Sequence, residues 1–263
     1  MLTHCILSVD YSDEWDKIYD HLPHLIDLLG IERLTLVYAV EPQNRRRLED
    51  DDVAIDGRLR RLGDDISGKL GVSVASDVRH GFPASELSAA ARKHGADAII
   101  ALNRSHSAGR AALFGNSVMH LVRVARVPVL VIPYDGEPSQ PNAPIMLASD
   151  GSDASRNAQR HFEQLAQNAT ASKVVWVKDD HAGEAEDERM QPFLDDMQRR
   201  FTNLESKRMS GDPADKISSY ADHEGVALLI IGKRGNTPIA ELLVGSTAEA
   251  VARTSHRPVL LVP

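Results

Sequence analysis

The chain has 263 residues, of which 42% are hydrophobic and 26% are charged, and such proportions are typical of a globular protein with one or two cores. The formal net charge of −8 disfavours binding to nucleic acid through its phosphates and adsorption to an anionic membrane. No apolar run reaches the length of a membrane span, the first residues do not resemble a secretory leader, and Cys5 is the only cysteine. We therefore expect a cytoplasmic protein without disulfides, in which Cys5 is a buried apolar residue rather than a redox thiol.

Strands and amphipathic helices alternate along the first half of the sequence. Apolar or alternating runs predict strands at Cys5–Asp10, Leu34–Val40, Val72–Arg79, Ala96–Leu102 and Val127–Pro133. Helices are predicted from Ser12 or Asp13 to Gly30, from Arg45 to about Leu70, from Pro83 to Gly95, and over Asn116–Ala125. Pro23 could kink or split the first helix, and Gly63 could break the second.

The same order restarts after residues 135–143, which are rich in turn formers and predict a linker. Strands are predicted at Ile145–Asp150, Lys173–Val177, Val226–Ile231 and Arg257–Pro263, and helices after Asp153, over Asp187–Lys207, from Pro213 to Gly225 and over Thr247–Thr254. Near the ends of the two halves, matching residues are separated by a constant number of positions. Gly245 matches Gly115 and Pro258 matches Pro128, and both pairs are 130 residues apart. This agreement indicates an internal duplication, with one domain at residues 1–134 and a second at 144–263.

Alternating strands and helices predict right-handed crossovers and a parallel sheet covered by helices on both faces. Each half is therefore expected to be a Rossmann-like, three-layer α/β domain with a five-stranded parallel sheet. Ligands of such sheets bind beyond the carboxyl ends of the strands, where the winding direction switches. Asp150 ends a first strand and Gly232 follows a fourth one, so both are expected at one crevice of the second half.

One stretch of the second half has the features of a phosphate-binding site: a buried strand, two glycines, a loop, and a glycine at the start of a helix. It contains Gly232, Lys233, Arg234, Gly235, Gly245, Ser246 and Thr247. Unpaired amides and the positive end of a helix dipole favour an anion at such a helix start, and the two cationic side chains add positive charge. The residues alone leave a structural interpretation open, in which the glycines only shape a loop and a hydroxyl only caps the helix.

This stretch resembles the motif of the universal stress protein family. In that motif two residues separate the first glycine from the second, nine residues separate the second from the third, and Ser or Thr follows the third. The motif stands in full at Gly232, Gly235, Gly245 and Ser246. The opening strand of the family, which ends in Asp-Gly-Ser, is matched at residues 150–152, and its closing Pro-Val-Leu-Val strand is matched in both halves. The resemblance covers nearly the whole chain and implies two tandem domains of the adenine nucleotide alpha hydrolase-like fold.

For the second half the resemblance implies a site for ATP, with or without Mg²⁺. It places Asp150 near the adenine or ribose, Val177 against the base, and Ile231 and Gly232 close to the ribose. The residues implied at the phosphates are Arg234, Gly235, Gly245, Ser246 and Thr247, of which the last three would donate to the phosphate oxygens. Family members often carry a small or histidine side chain where Arg234 stands. No residue of the motif is an obvious general base, so we assign no catalytic residue and expect slow ATP hydrolysis at most.

The matching loop of the first half departs from this pattern. Leu102 and Ser105 replace the first two glycines, and Asn116 replaces the serine, although Gly115 remains. A side chain at Leu102 is expected to crowd a bound ribose or phosphate. We therefore expect the first half to bind no ATP, or to bind a different ligand.

Several other functional motifs are missing from the sequence. There is no P-loop, no GxGxxG after a strand, and no nucleophile elbow. His21 and His24 share a helix face, but no nearby ligand set completes a metal site, so we predict no metal and a solvated face. The leading hypothesis is an ATP-binding stress-response and signalling protein whose nucleotide changes its choice of partner. A scaffold or chaperone-like stress protein without nucleotide, and an enzyme of a related adenine-nucleotide fold, are the alternatives.

In the family, the closing strand commonly pairs with its twin across a two-fold axis. Both copies lie on one chain here, so we predict that Val127–Pro133 lies against Arg257–Pro263. A single chain would then imitate a homodimer, and a true homodimer would be allowed but not required.

Overall fold

The computed structural model describes residues 2–12, 15–41, 52–103, 111–178, 184–235 and 244–263, with the backbone alone at 111–116 and 184–189. The chain divides into two compact units, of which the first ends at Tyr134 and the second spans Asp135–Pro263. Each unit contains one five-stranded parallel sheet and, within the described residues, four α-helices. The predicted fold class, two tandem α/β domains, is confirmed, whereas the predicted pairing of the two closing strands stays a prediction.

The strands of the first unit are β1 (His4–Val9), β2 (Arg33–Val40), β3 (Ser73–His80), β4 (Ala98–Asn103) and β5 (Val129–Pro133). Its helices are α1 (Ile18–Leu29), α2 (Asp52–Leu70), α3 (Pro83–His94) and α4 (Ala111–Val124). The strand pairs are parallel, and the order across the sheet is β3-β2-β1-β4-β5. The winding direction therefore switches between β1 and β4, which is where sheets of this kind bind ligands.

The strands of the second unit are β6 (Ile145–Ala148), β7 (Ser172–Lys178), β8 (Leu204–Ser210), β9 (Leu228–Gly232) and β10 (Val259–Val262). Its helices are α5 (Arg156–Ala166), α6 (Glu184–Arg200), α7 (Pro213–His223) and α8 (Ser246–Thr254). The order β8-β7-β6-β9-β10 repeats that of the first unit, and the pairs are again parallel. The switch of winding direction lies between β6 and β9, where Ala148 pairs with Ile231.

Three of the four central strands of the two sheets are buried along their whole length, and β1 has one half-buried residue. Strands β4, β6 and β9 have no exposed or half-exposed residue, as expected for parallel strands that are covered by helices on both faces. Cys5 in β1 is fully buried, and this burial raises the pKa of its thiol to about 12. The prediction that Cys5 is a buried apolar residue and not a reactive thiol agrees with this environment.

Prolines and glycines mark the helix ends largely as the sequence predicts. Helix α3 begins with Pro83 and ends at Gly95, whose φ is 60°. Pro23 lies inside α1 without splitting it. Gly63 does not break α2; a Cβ atom there would lie 3.1 Å from a methyl group of Val74, so the glycine allows the helix to pack closely on β3. Residues 45–51 of the predicted second helix lie outside the described residues.

Two sequence predictions about element bounds are wrong. The helix predicted over Asp187–Lys207 ends at Arg200, and residues Leu204–Ser210 form strand β8. This strand lies at the edge of its sheet and exposes several of its side chains, so its sequence carries charged residues instead of a clear apolar alternation. In the first unit, α4 begins at Ala111 and not at Asn116, and this difference changes the crevice of that unit.

Candidate functional site

The chain leaves β6 through a tight turn that places Asp150 at the carboxyl edge of the second sheet. Gly151 has a φ of 66°, a left-handed conformation that glycine adopts without steric cost. The amide of Ser152 donates to Oδ1 of Asp150 over 3.0 Å. Because one carboxylate oxygen accepts a bond from the backbone of its own turn, the half-buried Asp150 is held in one orientation beside the crevice.

A network of serine hydroxyls supports this turn. The hydroxyls of Ser149 and Ser155 lie 3.1 Å apart, and the Ser149 hydroxyl also accepts from the amide of Gly151 over 3.1 Å. The Ser155 hydroxyl lies 2.8 Å from the carbonyl oxygen of Ser152, to which it can donate. The sequence prediction missed Ser149 and Ser155, although closely spaced serines around the Asp-Gly-Ser turn are the signal that could have found them.

The glycine loop after β9 lies directly against this turn. A Cβ atom on Gly235 would stand 2.6 Å from Oδ2 of Asp150, which is closer than non-bonded atoms approach. A side chain at position 235 would therefore force the Asp150 carboxylate out of its present orientation. The structure thus brings Asp150 next to Gly235, whereas the sequence prediction of a shared crevice was made for Asp150 and Gly232.

Gly232 has a different neighbourhood. A Cβ atom there would lie 3.0 Å from the carbonyl oxygen of Arg234 and 3.3 Å from the Cα atom of Ser155. The glycine therefore lets the end of β9 approach the backbone that leads into α5. This contact within the protein is enough to explain why residue 232 is a glycine, and no ligand is needed for it. The predicted contact of Gly232 with a ribose stays a prediction.

Helix α8 begins beside this loop with its amides directed out of the helix end. Its N-cap residue, Gly245, has no side chain to cap it, and no side-chain cap bond is formed. The Gly245 amide donates to the carbonyl oxygen of Lys233 over 2.7 Å, and a Cβ atom on Gly245 would lie 4.0 Å from the Cα atom of Arg234. The first helical bond runs from the amide of Glu249 to Gly245, so the amides of Ser246 and Thr247 precede the helical ladder, as helix geometry requires.

Lys233 is the buried cation of the site. Its residue is only 3% exposed, and burial of the ammonium, together with the neighbouring Arg234, lowers the pKa of Lys233 to about 8. Its backbone amide donates to Val262 over 2.7 Å and its carbonyl accepts from Gly245. Lys233 thus joins β9 to β10 and to the start of α8, whereas Arg234 is exposed. The sequence prediction counted Lys233 only as added positive charge and missed this structural position.

The remaining predicted site residues lie near the ends of β7 and β9 and in the first turn of α8. Ile231 is buried in β9 and pairs with Leu261 of β10. Val177 is 8% exposed near the end of β7, where it pairs with Met209 of β8. Thr247 is half-buried in the first turn of α8. The second unit therefore gathers the predicted residues at the carboxyl edge of β6, β7 and β9.

The corresponding crevice of the first unit is built differently. Leu102, which stands where Gly232 stands in the second unit, is 6% exposed at the end of β4. Helix α4 begins at Ala111, so the segment at Gly115 and Asn116 lies inside a helix and does not start one. Its amides therefore fall within the helical ladder and do not form an anion-binding helix start. Ser105 lies outside the described residues.

No metal centre is visible in the described residues, which contain no group of three or more His, Cys, Asp and Glu side chains placed to hold an ion. His21 is only 3% exposed, so the prediction of a solvated face was wrong for this residue. It shares the buried face of α1 with Ile18, Leu22 and Leu25, and packing of that face takes it out of water. None of the helices in the described ranges combines the length and the apolarity that are needed to cross a bilayer.

The duplicated parallel sheet, with its Asp-Gly-Ser turn beside a glycine loop and an open helix start, defines an α/β protein of the adenine nucleotide alpha hydrolase-like type. A family model described as the universal stress protein family matches residues 3–133 and again residues 142–263. The chain therefore belongs to the universal stress protein family and carries two copies of its domain. Members of this family often bind adenine nucleotides.

Known relatives agree with this assignment over one or both units. A universal stress protein of Mycobacterium tuberculosis is 28% identical over 260 residues, which cover 87% of this chain and 86% of the relative. A universal stress protein of Methanocaldococcus jannaschii is 26% identical over 136 residues, which cover 45% of this chain and 80% of the relative. The crystal structure of a universal stress protein from Archaeoglobus fulgidus superposes with a TM-score of 0.72 at 18% identity, covering 98% of this chain and 95% of that one. At this identity the structural likeness shows the fold alone.

Proposed function

We propose that the second unit binds ATP at the carboxyl edge of β6 and β9, and that the bound nucleotide regulates which partner the protein engages. The open start of α8 carries this proposal. The amides of Ser246 and Thr247 precede the helical ladder, the N-cap residue Gly245 has no side chain to cap them, and the helix dipole adds a partial positive charge. Phosphate oxygens are the groups that such a helix start binds most readily.

The neighbouring residues fit the other parts of a nucleotide. Asp150 presents a carboxylate whose orientation is fixed by the Ser152 amide, which suits an acceptor for a ribose hydroxyl or an adenine amino group. Gly235 leaves room for this carboxylate, and the exposed Arg234 can reach toward phosphates from the same loop. Val177 and Ile231 supply apolar surface at the strand ends. The amide of Gly245 already donates to the carbonyl oxygen of Lys233. Gly245 would therefore contribute by letting the phosphates come close to the backbone, and not by donating a hydrogen bond.

These residues would bind and orient the nucleotide and would not supply a catalytic group. None of the residues that we place at the site, all of them in the described part of the chain, combines a nucleophile with a hydrogen-bonded general base. ATP would therefore act as a bound signal, with slow hydrolysis at most, and Mg²⁺ would accompany the phosphates from solution. A scaffold function without nucleotide is the second candidate, because backbone packing already explains Gly232.

Calorimetric titration of the wild type, Ser246→Ala and Ser246→Pro with ATP and Mg²⁺ tests the proposal. Position 246 is the first residue of α8, and Gly245 before it is extended with a ψ of 149°, so proline is compatible with the helix start. The proline variant removes one amide donor to a charged ligand and should weaken binding by about tenfold or more. The alanine variant removes only the hydroxyl and serves as the matched control, which should stay within about threefold of wild type.

Two results would contradict the proposal. Wild-type protein that binds no ATP at millimolar concentration would favour the scaffold function. Equal binding by the wild type and Ser246→Pro, with both variants folded in circular dichroism, would show that the nucleotide does not use the start of α8. Extraction of purified protein followed by mass spectrometry should show co-purifying adenine nucleotide if the affinity is high.

A further inference from the structure

Strand β1 of the first unit begins with a buried histidine. His4 is 4% exposed, and its Nε2 atom lies 2.9 Å from the hydroxyl of Thr35 on β2, a residue that is 1% exposed. The other ring nitrogen, Nδ1, is buried and has no hydrogen-bond partner among the residues that the structure describes. A neutral imidazole carries one ring N–H group, whereas a charged imidazole carries two. A proton on His4 would therefore add a buried donor without an acceptor in that part of the chain, which is costly.

The backbone of His4 is fixed to the residue that precedes β4. Its amide donates to Oδ2 of Asp97 over 2.9 Å, and its carbonyl oxygen accepts from the amide of Asp97 over 2.7 Å. The hydroxyl of Thr3 donates to the same carboxylate oxygen over 3.1 Å. A shift of this backbone would break these bonds, so a charged imidazole can reach water only if its side chain or the element that covers it moves.

Helix α3 covers the face of the sheet on which His4 lies. Thr35 pairs with Ala75 of β3, and side chains two residues apart on a strand share a face, so Asp77 lies on the same face as Thr35 and His4. The Nε2 atom of His94, the last residue of α3, lies 2.8 Å from Oδ2 of Asp77. The end of α3 is therefore bound to the edge strand over this face, and the helix also packs on β1.

Three charged or titratable side chains act on His4 from the elements around it: Arg33 of β2, Asp97 before β4 and His94 of α3. Burial of the imidazole lowers the pKa of His4, and the positive charge of Arg33 is the next largest cause in the same direction. The Asp97 carboxylate acts in the opposite direction with a smaller effect, and His94 again lowers the pKa. The folded first unit therefore keeps His4 neutral at pH values at which a histidine of an unfolded chain, with a pKa near 6.5, is already charged.

The second unit has a proline at the matching position. The carbonyl oxygen of Pro144 accepts from the amide of Ala227 over 2.8 Å, in the same way as that of His4 accepts from Asp97. Proline has no titratable side chain, so the second unit has no counterpart of His4 at the start of its first strand.

An ion cluster takes the place of the hydroxyl contact in the second unit. Lys173 of β7 matches Thr35 of β2, since each pairs with the residue four positions before the aspartate that follows the first strand. The ammonium of Lys173 lies 2.6 Å from Glu205 and 2.9 Å from Glu224. Lysine and carboxyl groups titrate outside the range of histidine, so this cluster keeps its charges at a pH at which histidines gain a proton.

We infer that His4 makes the first unit respond to mild acidification: a proton taken up at this residue loosens the packing of α3 on the start of β1. At neutral pH the uncharged imidazole stays beside Thr35 and the unit is closed. As the pH falls below about 6.5, the opened chain binds one more proton than the closed one, so the closed form loses stability. Because the second unit has a proline here, the effect of His4 falls on the first unit.

Urea unfolding of the full chain, followed by the fluorescence of Trp15, tests the inference. The chain has two tryptophans, one in each unit, so Trp176→Phe leaves as reporter the buried Trp15, whose indole donates to the carbonyl oxygen of Ser8. In this parent protein, a change from pH 7.5 to pH 5.5 should raise the unfolding equilibrium constant through His4 by about threefold to tenfold. Adding His4→Gln keeps a polar group for Thr35 but removes the titration, so the rise should be smaller by this factor.

The matched control is His120→Gln in the same parent. It replaces an exposed histidine of the first unit and should retain the full rise. The remaining histidines are common to all the proteins compared, including the half-buried His161 of the second unit, whose pKa is also lowered by burial. An equal rise in His4→Gln and in the parent would overturn the inference.

Hydrogen exchange of the wild type gives a second measurement that needs no variant. After correction for the pH dependence of the intrinsic exchange rate, the amides of β1 and of the last turn of α3 should lose more protection between pH 7.5 and pH 5.5 than those of β9. Equal losses in these three elements would also overturn the inference. Neither experiment contains nucleotide, so both results are independent of the proposed ATP site.

Discussion

The Oδ2 atom of Asp150 lies 2.6 Å from the point at which a side chain would begin on Gly235. Its other oxygen accepts a bond from Ser152, so one carboxylate contacts its own turn and the loop that follows β9. Residues 85 positions apart in sequence, 150 and 235, are joined in this way at the switch point of the second sheet. The spacing between the glycines gives no indication of this contact.

Gly235→Ala should therefore destabilise the second unit by about 1 kcal/mol, because the new methyl group overlaps the Asp150 carboxylate, which has to leave its bond to the Ser152 amide to make room. Nucleotide binding should weaken with it, since Asp150 has to move. Urea unfolding measures the first effect and calorimetry the second. In an Asp150→Ala background the same substitution should cost much less, and an equal cost in both backgrounds would show that the loop and the carboxylate are not in contact.

Gly151→Ala should cost about 1–2 kcal/mol of unfolding free energy, because its φ of 66° is strained for any residue with a Cβ atom. Gly68→Ala in α2 is the control. A Cβ atom there would meet no atom within 4 Å, and alanine favours a helix by about 0.5–1 kcal/mol over glycine. Opposite signs for the two substitutions in chemical unfolding are expected, and equal signs would contradict the left-handed turn.

Calorimetry should show one ATP per chain, since among the described helices that follow a fourth strand, α8 starts at the expected place and α4 does not. Leu102→Gly restores the missing glycine of the first unit but leaves α4 beginning at Ala111. It should therefore not create a second ATP site, and the stoichiometry should stay at one. A second site in this variant would show that the leucine side chain alone prevents binding.

The buried Lys233 should make the protein more stable as the pH rises from about 8 to about 10. Burial lowers the pKa of Lys233 to about 8 in the folded chain, whereas an unfolded lysine has a pKa near 10.4. Between these values the unfolded chain binds more protons, so the free energy of unfolding rises with pH, by on the order of 1–2 kcal/mol from this group. Below about pH 8 both states are protonated and the contribution is constant.

Comparison of the wild type with Lys233→Met isolates this effect, because methionine keeps an unbranched apolar chain and removes the titrating group. Urea unfolding at pH 7.5 and pH 9.5 should show a smaller rise for the variant than for the wild type. An identical rise in both proteins would mean that the ammonium is not desolvated in the folded state.

Much of the fold was predictable from local signals. Pro83 and Gly95 bound α3 because proline suits the first turn of a helix and glycine suits a left-handed end. The repeated apolar runs predicted a duplicated parallel sheet, since strands buried on both faces leave little alternation in their sequence. Strand β8 was not predicted because it lies at the edge of the sheet. Several of its side chains face solvent there, so the strand lacks the apolar pattern of a buried one.

The candidate site was predicted only in part. The glycine spacing identified the loop and the start of α8, because these features are written in consecutive residues. The contact of Gly235 with Asp150, the burial of Lys233 and the serine network depend on which strands are neighbours. These relationships join residues that are distant in sequence, so local pattern could not reveal them.

The sequence by itself determined the duplication, the parallel α/β class and the unequal glycine motifs of the two halves, because periodicity and backbone freedom are local properties of the chain. Tertiary structure alone decided where α4 begins and that a cavity of about 300 Å³ forms in the first unit. It also decided that Tyr11 adopts a left-handed φ of 52° with its ring beside that of Tyr38 and the Arg58 guanidinium. The physical reason is that packing between distant segments can outweigh local preferences by a few kcal/mol.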